Sequence, residues 1–238
     1  EGTAGITKLR KGGIANDVRV KQVFIDSTKL EEGDLSELDQ VDAILVPGGF
    51  GVRGTEGKIL AARRAREKKV PFFGICLGLQ MAVIEFGRAV LGLERANSLE
   101  FDEQTPHPVV TLMEGQKGLA DKGGTMRLGT YPCALKEGTK ARELYGAALV
   151  HERHRHRFEF NNAYRAQYEE AGMVFSGVNP DLDLVEMIEL NNHPHFIGCQ
   201  FHPEFKSKPF AAHPLFAGFA LAAREHRDQA QRQPGAAV

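Results

Sequence analysis

The sequence predicts an α/β fold: a doubly wound, mostly parallel sheet with helices on both faces and additional β-strands. Two observations carry this. Strand-length apolar runs alternate with helical patterns in the first part of the chain. One run empties into a glycine loop and another into a helical pattern, as strands do at the mouth of such sheets. At 238 residues and 42% hydrophobic, the chain is long enough to bury one large core.

Val18 to Asp26 reads as a strand, and Val41 to Gly49 as a buried strand ending in a glycine loop. Lys58 to Lys69 reads as a basic amphipathic helix with Ile59, Leu60, Ala62 and Ala65 on its apolar side. Val70 to Ile75 is the next strand, and a helix runs from Cys76 to about Arg88. The later chain is richer in strands: TMRLGTYPCAL, GMVFSGV, LVEMIEL and FIGCQF. Ala211 to about His226 reads as a closing helix. A domain over 1–226 and a disordered tail over 227–238 are expected, since the tail lacks apolar content. EGTAGITKLRKGG shows no opening strand, although a doubly wound sheet normally begins with one. No internal repeat is present.

The formal net charge of −1 supplies no global field for nucleic acid or anionic membranes. No apolar run approaches a membrane span, and no signal-peptide pattern opens the chain. Three widely spaced cysteines, Cys76, Cys133 and Cys199, argue for a reducing, cytoplasmic setting without a disulfide framework.

Cys76 lies where an apolar strand meets a helix. At a helix N-terminus, orphan N–H groups and the helix dipole favour negative charge, which favours a nucleophilic thiolate. Gly74 and Gly78 flank it and are expected to allow a sharp turn and close approach of a substrate. Near the other end stands FIGCQFHPEF. The residue before a proline is extended, so His202 and Glu204 point to one side, and the carboxylate can orient the imidazole for acid–base work on a thiol. Read separately, Cys76 is more often a buried small hydrophobe and His-Pro-Glu a common tripeptide. Together they point to nucleophilic catalysis.

Two other motifs weigh less. Gly49, Gly51 and Gly54 make a G-x-G-x-x-G, but no acid stands at the tip of a following strand, so a dinucleotide site is disfavoured. An oxyanion site in that glycine turn suits a nearby nucleophile better. HERHRHRFEFNN (151–162) has three readings: a metal site lacking a completing acidic or cysteine cluster, a solvated basic face, or arginines that grip a carboxylate.

GICLGLQ (74–80) and His202-Pro-Glu204 resemble the nucleophile motif and the rest of the Cys-His-Glu triad of class I glutamine amidotransferases. GGIAN (12–16), VPGGFG (46–51), GGTMRLG (123–129), ERHRHRFEFNN, CQFHPEFKSKP and HPLFAGF extend the resemblance over about Gly12 to His226. They match one branch, in which the amidotransferase is the C-terminal domain of a ligase. The resemblance implies a flavodoxin-like fold and a catalytic triad of Cys76, His202 and Glu204, with no metal. It implies that Gly49, Leu77, Gly78, Leu79, Gln80, Glu100 and Arg157 border L-glutamine. Glu100 would meet its α-ammonium and Arg157 its α-carboxylate. It further implies an N-terminal synthase domain, not present in this sequence, that uses ATP, UTP and Mg, with GTP as an allosteric activator and a homotetrameric whole enzyme. No cofactor is expected in the amidotransferase domain itself. GGTMRLG would belong to a lid hinged on its glycines. Three alternatives stand beside this: an amidotransferase for another acceptor, a cysteine hydrolase of γ-glutamyl peptides, and a non-catalytic assembly module of the same fold.

Overall fold

The computed structural model describes residues 2–112, 126–208 and 211–232. The helices are α1 (Gly2–Ala15), α2 (Ser27–Glu31), α3 (Thr55–Lys68), α4 (Leu77–Ala89), α5 (Lys140–Tyr145), α6 (Arg165–Glu170) and α7 (Pro214–Arg232). The strands are β1 (Ile44–Val46), β2 (Phe72–Ile75), β3 (Ala96–Ser98), β4 (His107–Leu112), β5 (Arg127–Leu135), β6 (Leu149–His156), β7 (Phe158–Phe160), β8 (Met173–Asn179), β9 (Leu184–Leu190) and β10 (Phe196–Cys199).

The main sheet has the order β1-β2-β10-β9-β8-β5-β6, and β3-β4-β7 form a small second sheet. The fold is α/β with helices packed on the sheet, as expected. The sheet is mixed rather than mostly parallel. Only β1, β2 and β10 run parallel, while β9, β8, β5 and β6 continue antiparallel. The two halves have different consequences. β2 is buried along its whole length, as a parallel strand covered on both sides must be. β6 buries Glu152, His154 and His156 and leaves Arg153 exposed and Arg155 half-buried between them, as a half-covered antiparallel strand does.

Register brings three loops together. Val46 pairs with Gly74, and Gly74 with Gly198. The C-terminal ends of β1, β2 and β10 therefore lie side by side, and the chain leaves each at one sheet edge. Ligands of open α/β sheets bind at that edge.

α4 is buried from Leu77 through Gly87. It can be, because its one buried acid, Glu85, takes a two-pronged grip from Arg66 on α3, at 2.9 and 2.7 Å. Midway along α4, the Tyr168 hydroxyl donates to the Val83 carbonyl at 2.9 Å. On the other side of the sheet α7 packs its own Phe216 and Phe219 against Phe73.

Two further expectations are corrected, and the N-terminus gains an element. Val18 to Asp26 forms no strand. Residues 18–24 line a cavity of about 360 Å³ together with Val41, Asp42, Ala43 and Leu45 and join no sheet ladder among the described residues. The N-terminal residues form helix α1, which docks on α7. A Cβ on Gly12 would lie 2.3 Å from the Phe216 carbonyl oxygen. Asn16 donates to the Gly12 and Ala217 carbonyls at 2.8 Å each, which gives the GGIAN segment its structural use. Helix α7 continues to Arg232, so residues 227–232 are helical rather than a disordered tail. Residues 233–238 lie outside the described residues, as do Gly123, Gly124 and Thr125 of the expected lid.

Candidate active site

Cys76 joins β2 to α4 in a backbone conformation of φ 51° and ψ −102°. That region is costly for a residue with a side chain, and its occupancy marks a functional turn. The surroundings enforce it. The Cys76 N–H donates to the Cys199 carbonyl at 2.7 Å. A Cβ on Gly74 would lie 2.6 Å from the Gly78 oxygen, and one on Gly78 would lie 2.1 Å from the Val46 oxygen. The two glycines thus let backbone pack against backbone around the turn. The strain sits on the cysteine, not on the glycines.

His202 follows β10 and reaches the same place from the neighbouring strand. Its Nδ1 lies 2.7 Å from Glu204 Oε1. The pair was expected from an extended segment, but a 3-10 turn over Pro203–Phe205 makes it. Imidazole and carboxylate are both buried, and the ring stacks on Phe205 at 5.1 Å. Burial alone would lower the imidazole pKa. Interaction with the Cys76 sulfur and then with Glu204 outweighs it and pushes the ring up to about 10. His202 Nε2, the nitrogen not bound to Glu204, meets no partner in full hydrogen-bond geometry among the described residues.

Gly48 completes this corner. A Cβ there would lie 2.9 Å from His202 Cε1 and 3.5 Å from Cys76 Cβ. The glycine loop after β1 can approach only because position 48 has no side chain.

A cavity of about 400 Å³ opens above Cys76. Gly49, Gln80, Glu100 and Arg157 line it, together with Phe50, Met126, Arg155, His156 and Phe158. Leu77, Gly78 and Leu79 do not. They form the first turn of α4, where Leu77 and Leu79 belong to the core, so they can meet a substrate only through backbone N–H groups. Glu100 accepts weakly from the Gly51 N–H at 3.4 Å. Burial raises its pKa, while that contact and the Arg157 charge act the other way. A carboxylate and a guanidinium on one cavity wall fit the ammonium and carboxylate of an amino acid.

The histidine-rich strand divides its labour by period two. His154 and His156 face inward, and Arg153 and Arg155 outward. The inward face meets Arg127, which binds Glu186 at 2.6 Å and Glu159 at 3.4 Å. Burial pushes Glu159 up to about 8 and Glu186 to about 7. It pushes His156 down to about 3. This buried cluster lies against the cavity, whose wall His156 shares. Arg155 and Arg157 line the cavity and fit the carboxylate-gripping reading, while Arg153 is exposed outside it.

Sequence reasoning missed two residues at the site. Gly48 is hidden in a glycine pair and is visible only as a close approach. Gln200 stands two residues before His202, and its side chain reaches the sulfur: Nε2 lies 3.6 Å from Cys76 Sγ. The period-two rule that paired His202 with Glu204 also points from His202 back to Gln200.

A strained thiol at a strand–helix turn, a His-Glu pair and an amino-acid-sized cavity define a thiol amidotransferase site. The chain belongs to the class I glutamine amidotransferase family, whose model matches residues 5–222. Within that family it is similar to the amidotransferase part of CTP synthases. It is 61% identical over 220 residues to CTP synthase of Geobacter metallireducens, covering 92% of this chain and 41% of the relative. It is 58% identical over 218 residues to that of Moorella thermoacetica, with the same coverage. The chain thus spans less than half the length of these curated relatives. Among solved structures, the glutaminase domain of Trypanosoma brucei CTPS with bound acivicin superposes with a TM-score of 0.88. It shares 36% identity and covers 94% of this chain and 88% of that one.

Proposed function

We propose that this domain hydrolyses glutamine through Cys76, His202 and Glu204 and delivers the ammonia to a synthase domain that aminates UTP to CTP. The observation that carries the reading is the His202–Glu204 pair at 2.7 Å, set beside a cysteine in a strained turn.

Cys76 Sγ attacks the side-chain carboxamide carbon of glutamine. The oxyanion that forms is met by backbone N–H groups at Gly49 and at Leu77, the first residue of α4. His202 gives its proton to the departing nitrogen, and ammonia leaves a γ-glutamyl thioester on Cys76. Water then attacks the thioester carbon while His202 takes its proton. Sulfur leaves, and glutamate is released. Glu204 keeps Nδ1 protonated, so Nε2 performs both transfers. Gln80, Glu100 and Arg157 hold the glutamine, with Glu100 at the α-ammonium and Arg157 at the α-carboxylate. Gly78 and Leu79 contribute through the backbone of the first turn of α4.

The synthase domain would bind ATP, UTP and Mg, and GTP would activate hydrolysis allosterically in a cytoplasmic homotetramer. Kinship with the CTP synthases supports this, and the high identity to them disfavours another acceptor. No helix among the described residues is long and apolar enough to cross a membrane.

The test is release of glutamate from glutamine by the protein joined to its synthase domain. Glutamate release that disappears in Cys76→Ala supports the reading. Undiminished release in that variant contradicts it.

A further inference from the structure

Gln200 is fully buried between the nucleophile and the floor of the cavity. Its backbone N–H donates to the Glu186 carbonyl at 2.8 Å, which anchors it to β9. Its side chain sits in a chain of three contacts. Gln80 Nε2 lies 2.9 Å from the Phe158 carbonyl oxygen and 3.2 Å from Gln200 Oε1. Gln200 Nε2 lies 3.6 Å from Cys76 Sγ.

The direction of this chain follows from its end. A backbone carbonyl only accepts, so the Gln80 atom facing Phe158 must be nitrogen. That nitrogen also faces Gln200, so the Gln200 atom opposite must be oxygen. The remaining Gln200 atom, a nitrogen with hydrogens, is then turned to the sulfur. Amide orientations are otherwise ambiguous, but here a main-chain oxygen sets them.

We propose that Gln200 holds the Cys76 thiolate, donating an N–H to the sulfur from the side buried in the protein and keeping it aimed into the cavity. The inference rests on Cys76 being the nucleophile. An N–H donor at a buried sulfur stabilises the anion more than the thiol. It also links the nucleophile to Gln80, which lines the cavity, so the floor of the site and the attacking atom are held as one unit. The other titratable or charged groups around the sulfur are His202, with Glu204 behind it, Cys199, whose thiol burial pushes well above its usual range, and, on the walls of the same cavity, Glu100, Arg155, His156 and Arg157. None of them supplies a neutral, permanently available donor. Gln200 does.

The test is the pH profile of Cys76 alkylation by iodoacetamide, followed by peptide mass on the 238-residue chain. Two variants are compared. Gln200→Met keeps the length and removes the donor. Gln200→Glu keeps the acceptor that Gln80 needs but turns an anion to the sulfur. In Gln200→Met the profile is expected to move to higher pH, with alkylation at neutral pH slower by about tenfold. In Gln200→Glu it is expected to be slower still at neutral pH and to recover partly on acidification, as the new carboxyl gains a proton that it can donate. A purely structural role for Gln200 would not produce that recovery. Should Gln200→Met fail to fold, Gln200→Glu decides alone. Profiles within twofold of the parent in every folded variant would overturn the inference while leaving Cys76 as nucleophile. A parent whose Cys76 resists alkylation across the range would overturn both.

Discussion

A β-carbon placed on Gly48 would lie 2.9 Å from Cε1 of His202. The glycine loop and the imidazole are in contact with no room between them. In Gly48→Ala the ring must give way, and a small displacement of a reacting group is costly in rate. The expected outcome is a fall in kcat for glutamine hydrolysis of roughly tenfold to a hundredfold, with thermal stability close to the parent's. Steady-state kinetics beside a melting curve checks it. Gly78→Ala should behave differently: its Cβ would lie 2.1 Å from a backbone oxygen, so the fold itself should suffer.

His202 is pushed up to about 10, from an unfolded value near 6.5. A group whose pKa is raised by folding stabilises fully below its unfolded pKa and loses that contribution as pH rises through its folded value. The site's share of stability should therefore decline between about pH 6.5 and about 10. Urea midpoints measured across that range should fall less steeply in Cys76→Ala and Glu204→Gln, which remove the two partners. Equal slopes in all three proteins would contradict this.

Arg66 and Glu85 tie α3 to the buried helix that carries Cys76. Glu85 is 2% exposed at its side chain, so removing its partner strands a charge. Arg66→Ala should cost about 3 kcal/mol, near the low end for buried pairs because Arg66 keeps an edge in water. Replacing both by apolar residues, as in Arg66→Met with Glu85→Leu, should recover most of the loss. Denaturant titration of the three proteins measures it.

Glu100 and Arg157 face the same cavity and touch no reacting atom. Glu100→Gln should raise the KM for glutamine by about tenfold or more while changing kcat little, because a charge-assisted contact to the ground state is lost. Arg157→Gln should do the same. A fall in kcat alone would assign these residues to the chemical step instead.

Much of this site was legible in the chain, and what was not has a physical reason. The strand–cysteine–helix turn shows in the abrupt change from a buried apolar run to a helical pattern at Cys76. The His202–Glu204 pair shows in the proline between them. Both are local, and local patterns are what a sequence displays. Val18 to Asp26 has the composition of a strand, but a strand needs a neighbour, and composition does not say whether one is in reach. The antiparallel half of the sheet was misjudged for a related reason. Strand-length runs show their faces, while the direction of their partner depends on distant connections. Gly48 and Gln200 act through contacts with residues far along the chain; Gly48 has no local signature, and Gln200 only its spacing of two from His202. The lack of apolar residues from 227 onward reads as disorder, yet α7 continues to Arg232.

The central claim is that Cys76 is a nucleophile inside a glutamine-shaped pocket. Its most direct test is intact-mass analysis after exposure to a diazoketone analogue of glutamine, with parent, Cys76→Ala, and parent protected by excess glutamine. One adduct that is absent in Cys76→Ala and suppressed by glutamine is the predicted result. An adduct that glutamine leaves undiminished, or no adduct in a folded parent, would contradict it.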